Sequence, residues 1–163
     1  MGYSSRATHP AMAETPLLGP ETPGATTATA VEMTFVKVRP DGPNVLTGDV
    51  VLAGSRPATG RTTLVLCRCG ESRNKPHCDG THTRHGFRDP GILPVDTPPG
   101  TRAAGRVTVT PTRNGPLECV GPLVIEGADG RVACTFSTRL CRCGHSRTKP
   151  FCDDSHVRVG FTA

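Results

Sequence analysis

One run of metal-binding side chains occurs twice in this chain of 163 residues and limits what it can fold into. The first copy reads Cys67-Arg68-Cys69, then Ser72, Pro76, Cys78, Asp79, Thr81 and His82. The second reads Cys141-Arg142-Cys143, then Ser146, Pro150, Cys152, Asp153, Ser155 and His156. Three thiols and one imidazole per copy form a soft donor set, suited to iron–sulfur clusters or zinc. With 35% hydrophobic residues, no Trp, one Tyr and five Phe, the chain cannot assemble a large apolar core, and units of this size rely on cross-links. The metal centres are the available cross-links, so folding and metal loading are expected to be coupled.

Six of the eight cysteines lie in the repeated run, leaving Cys119 and Cys134 for any disulfide. That argues against an extracellular disulfide framework and for a soluble, cytoplasmic protein of a reducing compartment. No apolar run is long enough to span a membrane, and no signal-peptide core is present. The formal charge of +5 comes from Arg more than Lys, since Lys37, Lys75 and Lys149 are the only lysines. A solvated surface accounts for so modest an excess.

Residues 1–31 are rich in Thr, Ala, Pro and Gly without hydrophobic periodicity and are read as a disordered tail. Beyond them the sequence repeats at an offset of 73 to 74 residues: Gly42-Pro43 falls on Gly115-Pro116, Gly48 on Gly121, Cys67 on Cys141 and Gly86-Phe87 on Gly160-Phe161. Two homologous units follow, 32–89 and 106–163, joined by a Pro-rich linker at 90–105. Short strands are expected at Thr34–Val38, Val50–Leu52, Leu64–Leu66, Val107–Val109, Leu123–Ile125 and Arg131–Phe136, with Asp129-Gly130 as a hairpin turn. Neither unit contains a long amphipathic helix, so the fold class is small, β-rich α+β.

The spacing within the run suggests how donors are presented. Cys67 and Cys69, two apart, leave the same face of an extended segment; Cys78 and His82, four apart, share one face of a helical turn. Pro76 fixes the intervening loop, and Asp79 stands where a short helix would begin, as a cap for free backbone N–H groups. The repeat also sorts the histidines: His82 pairs with His156, whereas His77 falls on Phe151, His85 on Val159, and His145 on Glu71. Cys67, Cys69, Cys78, His82, Cys141, Cys143, Cys152 and His156 are therefore the candidate metal ligands, and no catalytic residue is assigned.

These motifs resemble the CDGSH iron–sulfur (NEET) family, whose name spells a Cys-Asp-Gly-Ser-His segment; here it reads Cys78-Asp79-Gly80-Thr81-His82 and Cys152-Asp153-Asp154-Ser155-His156. The resemblance covers about residues 32–163. It implies one [2Fe-2S] cluster per motif, two in all, with two Cys on the inner iron and Cys plus His on the outer. It further implies two tandem pseudo-symmetric units sharing a β-cap, each with a short helix at the cluster-binding loop, in a monomer with an internal pseudo-two-fold axis. Expected roles are electron transfer, redox or pH sensing, or cluster transfer. Expected partners are a redox protein or reductase, or an apo-protein that accepts a cluster.

A neutral imidazole in place of a thiolate should raise the cluster potential and link electron uptake to proton uptake. Asp154 replaces Gly80, and an extra anion near His156 should make the second cluster more pH-sensitive and less oxidising. The cations Arg68, Arg73, Lys75, Arg84 and Arg88, and Arg142, Arg147, Lys149 and Arg158, either neutralise the negative cluster and attract an acidic partner or form a solvated rim. The rival reading is a pair of zinc sites in a structural or nucleic-acid-binding module; the one-residue C-x-C spacing and the scarcity of stacking aromatics argue against it. Nothing resembles a nucleotide loop or a nucleophile–base pair, so a non-enzymatic protein is expected.

Overall fold

A computed structural model describes residues 33–56, 60–95 and 103–163. The segment read as a disordered tail lies outside these residues, as does part of the expected linker. The described chain is small and β-rich, with seven strands and two short helices: β1 (Thr34–Val38), β2 (Asn44–Gly48), β3 (Val50–Leu52), β4 (Thr62–Leu66), α1 (Thr81–His85), β5 (Val107–Pro111), β6 (Leu117–Glu126), β7 (Val132–Leu140) and α2 (Ser155–Arg158). Alternation builds the strands: in β1, Val36 and Val38 are buried while Lys37 between them is exposed. No described helix is long and apolar enough to cross a membrane.

The strands form one sheet in the order β3-β5-β6-β1-β2-β4, with β7 also paired to β6. The halves exchange strands. β1 lies parallel to the end of β6, with Thr34 beside Leu123, and β3 lies parallel to β5, with Val50 beside Val107. In the repeat, Thr34 corresponds to Val107 and Val50 to Leu123, so the second contact is the first made in the opposite direction. β6 spans in one strand what β2 and β3 span separately, with a register shift between Val120 and Leu123.

One core serves both halves. Val36, Leu46 and Leu66 pack in the same cluster as Val107, Val109, Ile125 and Leu140, and each such side chain contributes about 1.5–3 kcal/mol by leaving water. The segment expected to be a linker is part of this packing at its start: Leu93 is fully buried, its carbonyl accepts from Arg131 at 2.9 Å, and Gly91 O accepts from Ala128 N at 2.9 Å. The prolines around it had suggested a spacer, but the apolar side chain between them fills the core.

β2 and the first half of β6 were not expected from sequence, because Asn44, Thr47 and Glu118 interrupt the alternating pattern. β2 forms through antiparallel pairing on both edges, to β1 and to β4. Its Asn44 is fully buried, with neither amide atom hydrogen-bonded. The repeat places Leu117 at the equivalent position, also fully buried.

Candidate metal centre

Each donor loop begins where a strand ends. Cys67 follows β4 directly, and the loop folds back on that strand: Cys67 N donates to Pro76 O at 2.8 Å and Cys78 N to Val65 O at 2.9 Å. The second loop repeats this, with Cys141 N to Pro150 O at 2.7 Å and Cys152 N to Arg139 O at 2.8 Å. The Lys75–Pro76 and Lys149–Pro150 bonds are both cis. Ser72 is buried and locks the loop from within, its hydroxyl donating to His77 O at 2.6 Å and accepting from Asn74 N at 3.0 Å. Ser146 does the same with Phe151 O at 2.6 Å and Thr148 N at 3.1 Å. The Ser and Pro of the motif are thus loop-forming residues that set the spacing of the cysteines.

Asp79 accepts Thr81 N at 3.0 Å on one oxygen and Arg73 N at 2.9 Å on the other; Asp153 holds Ser155 N and Arg147 N, each at 3.0 Å. These backbone donors, Arg73 and Arg147 first, hold both carboxyls well below the usual carboxylate range. The capping expectation is corrected in position. The N-cap residues are Gly80 and Asp154, in left-handed conformation at φ 82° and 63°; Asp79 and Asp153 precede them, clasping the loop as well as the helix start.

The donors come together in pairs. Cys67 Sγ and Cys69 Sγ are 3.6 Å apart, and Cys141 Sγ and Cys143 Sγ 3.7 Å. Cys78 Sγ lies 3.3 Å from His82 Nδ1, and Cys152 Sγ 3.5 Å from His156 Nδ1. A tetrahedral metal with bonds of about 2.3 Å to sulfur and 2.0 Å to nitrogen separates two sulfurs by about 3.8 Å and sulfur from nitrogen by about 3.5 Å. The four pairs fit a metal each. In the first pair of each motif, the hydrogen bond between the thiols lowers one partner, Cys67 or Cys141, to about 6 and raises the other. All four thiols of these pairs are buried, whereas Cys78 and Cys152 are half-buried.

The cation between the cysteines is not part of a solvated rim. Arg68 is 1% and Arg142 3% exposed. Arg68 donates to Gly42 O at 2.9 Å and Arg39 O at 2.6 Å, stacks over Phe87, and pairs with Asp89. Arg142 donates to Gly115 O at 2.9 Å and Thr112 O at 2.6 Å and stacks over Phe161. Each therefore ties its donor loop to the turn after the first strand of its own half and to the aromatic residue beyond the helix. Identical Arg residues in both copies, together with Gly-Pro and Gly-Phe at matching places, were the available signal.

The two donor loops touch. Gly70 has φ 88°, and a Cβ on it would stand 2.6 Å from Cys143 O; Gly144, at φ 81°, would stand 2.6 Å from Cys69 O. Only glycine permits both the backbone conformation and the approach. Lys149 of the second loop reaches Asp89 of the first half at 3.6 Å, and Lys75 of the first lies over Phe161 of the second.

The outer ends differ. Asp154, at the place of Gly80, is bound at both oxygens by Arg139, at 2.8 and 3.3 Å. Arg139 occupies the place of Val65, as their matching bonds to Cys152 N and Cys78 N establish. The anion expected to act on His156 is thus paired with Arg139 on β7, with both side chains about half exposed.

The other three described histidines stay outside the donor pairs. His77 forms an isolated bridge with Leu66; His85 lies 3.8 Å from Glu71 at the surface; His145 is exposed, its backbone N donating to Cys143 Sγ at 3.5 Å. Cys119 is buried in the core, where desolvation pushes its thiol up to about 12, and Cys134 is half-buried in β7.

No curated protein matches the chain. The family described as iron-binding zinc finger, CDGSH type, matches it twice, at residues 41–83 and 114–157, which together span more than half of its length. Each match contains one complete set of three thiols and one imidazole, so the chain belongs to this CDGSH-type iron-binding family and is a protein of the iron–sulfur kind with two motifs.

Proposed function

We propose that the protein is a redox protein holding two [2Fe-2S] clusters, one through Cys67, Cys69, Cys78 and His82, the other through Cys141, Cys143, Cys152 and His156. The observation that carries this reading is the division of each donor set into two pairs. Each pair has the spacing of one metal ion, yet among the described residues the one set of three donors within 4.8 Å is Cys152, Asp154 and His156. A mononuclear zinc site needs all four donors around one point, whereas a dinuclear cluster needs two pairs.

When bound, such a cluster supplies one-electron redox chemistry, at a potential raised above that of an all-Cys site by the neutral imidazole. The chain's own groups support it. Backbone N–H groups of Glu71, Gly80 and His145 lie 3.5 Å from the sulfurs of Cys69, Cys78 and Cys143, and that of Asp154 lies 3.4 Å from Cys152 Sγ. Donors at sulfur favour the more negative reduced state. With Nδ1 turned to the cysteine, Nε2 is the ring nitrogen of each imidazole left free of the metal.

The same reading takes residues 32–89 and 106–163 as pseudo-symmetric halves of a monomer, sharing the sheet above the two centres; the reciprocal strand exchange supports it. It takes the protein as a non-enzymatic, cytoplasmic electron carrier, redox sensor or cluster donor, served by a reductase, an acidic redox partner or an apo-protein acceptor. Potentiometric titration followed by visible absorption at several pH values tests the core of it. Reddish protein with about four irons per chain and pH-dependent one-electron couples is expected. Colourless, zinc-filled protein from iron-replete cells would sink the reading.

A further inference from the structure

The outer ends of the two motifs differ by one donor. At the second, Cys152 Sγ, His156 Nδ1 and the Asp154 carboxylate lie within 4.8 Å of one another. Asp154 Oδ1 is 3.9 Å from Cys152 Sγ, close to the 3.5 Å between that sulfur and His156 Nδ1 and to the roughly 3.5 Å that a tetrahedral ion sets between sulfur and a lighter donor. At the first, Gly80 has no side chain to offer.

We infer that the second site has a fifth competent ligand, the Asp154 carboxylate, which holds the outer metal when the imidazole of His156 is absent. The inference rests on the metal-centre reading above. Carboxylate oxygen is an ordinary ligand for iron as for zinc. Arg139 keeps the carboxylate at this corner, and with both partners about half exposed their ion pair is a weak competitor for a metal bond. Val65, opposite Gly80, has nothing to hold. Anionic oxygen in place of neutral nitrogen also leaves the site more negative, which lowers its potential.

The test uses the full chain as purified from iron-replete cells. H82A is expected to contain about half the iron and cluster absorption of the parent, having emptied one site. H156A is expected to keep nearly all its iron, with a shifted visible spectrum and one couple moved to lower potential. Adding D154N should bring H156A down to the iron content of H82A, because the amide preserves a bond from Arg139 but removes the anionic donor. H82A/G80D should recover iron relative to H82A. The inference falls if H156A loses as much iron as H82A, or if H156A and D154N/H156A retain it equally. It also falls if D154N alone, with His156 intact, empties the site, since Asp154 would then be structural. A parent protein without cluster absorption would instead remove the functional reading itself.

Discussion

The two metal motifs share their frame and differ in what surrounds it. In both, a serine hydroxyl, a proline carbonyl and a twice-bonded aspartate shape the loop, and a buried arginine anchors it. The first half adds a carboxylate, Asp89, to its arginine, carries the unsatisfied Asn44 in the core, and leaves the outer end of its loop bare at Gly80 and Val65. In the second half the place of Asp89 is taken by Ala163 and that of Asn44 by Leu117, while Asp154 and Arg139 close the outer end. Groups that set the donor spacing are duplicated; groups one layer further out have diverged in complementary pairs, Gly80 with Val65 and Asp154 with Arg139.

The largest expected inequality lies at the buried arginines. Arg68→Met removes the nearer of two cations, Lys149 being the other at 3.6 Å, from a carboxylate that is itself mostly buried, and should cost about 2–3 kcal/mol. Arg142→Met removes bonds to carbonyl oxygens, and no ion pair to Arg142 is formed among the described residues, so about 1–2 kcal/mol is expected. Denaturant unfolding of the two iron-loaded variants checks the order; equal losses would mean that Asp89 adds nothing.

A smaller effect of opposite sign is expected at Asn44. Asn44→Leu copies the second half and relieves two unpaired buried polar atoms, so a gain of about 1–2 kcal/mol should appear in the same assay. Leu117→Asn should be destabilising. An unchanged stability for Asn44→Leu would show that the amide is satisfied in solution.

The smallest contrast is expected between Asp79 and Asp153, whose clasps are alike. Both carboxyls are depressed in the folded state. Their contribution is therefore complete above the unfolded value of about 3.9 and is lost only as pH falls through the lower folded value. Amide exchange at Arg73 and Arg147, their backbone partners, should stay protected in parallel down to about pH 4. Loss of protection at one loop well above that pH would break the equivalence.

Much of this was legible in the sequence, for identifiable reasons. Strands β1 and β5 were readable because Val alternates with polar residues, β3 because Val50-Val51-Leu52 is a short β-branched apolar run, and Asp129-Gly130 because Gly130, at φ 82°, suits the turn between β6 and β7. β2 was not readable, since its buried face includes Thr47's neighbours Leu46 and Gly48 with Asn44, and its strand character comes from pairing on two edges. The eight candidate donors were singled out because the repeat let the chain act as its own comparison. Arg68 and Arg142 were misplaced at the surface, because charge alone does not say whether carbonyls and an aromatic ring wait to surround it.

The sequence by itself determined the candidate donor set, its duplication and the alternating faces, because side-chain chemistry and residue period are local properties. Only the tertiary structure decided that β1 and β3 pair with strands of the other half, that Leu93 belongs to the core, and that Arg139 pairs with Asp154. Those facts depend on which distant segments meet, and pairing partners far apart in the chain are chosen by packing the shared core, which no single stretch of residues encodes.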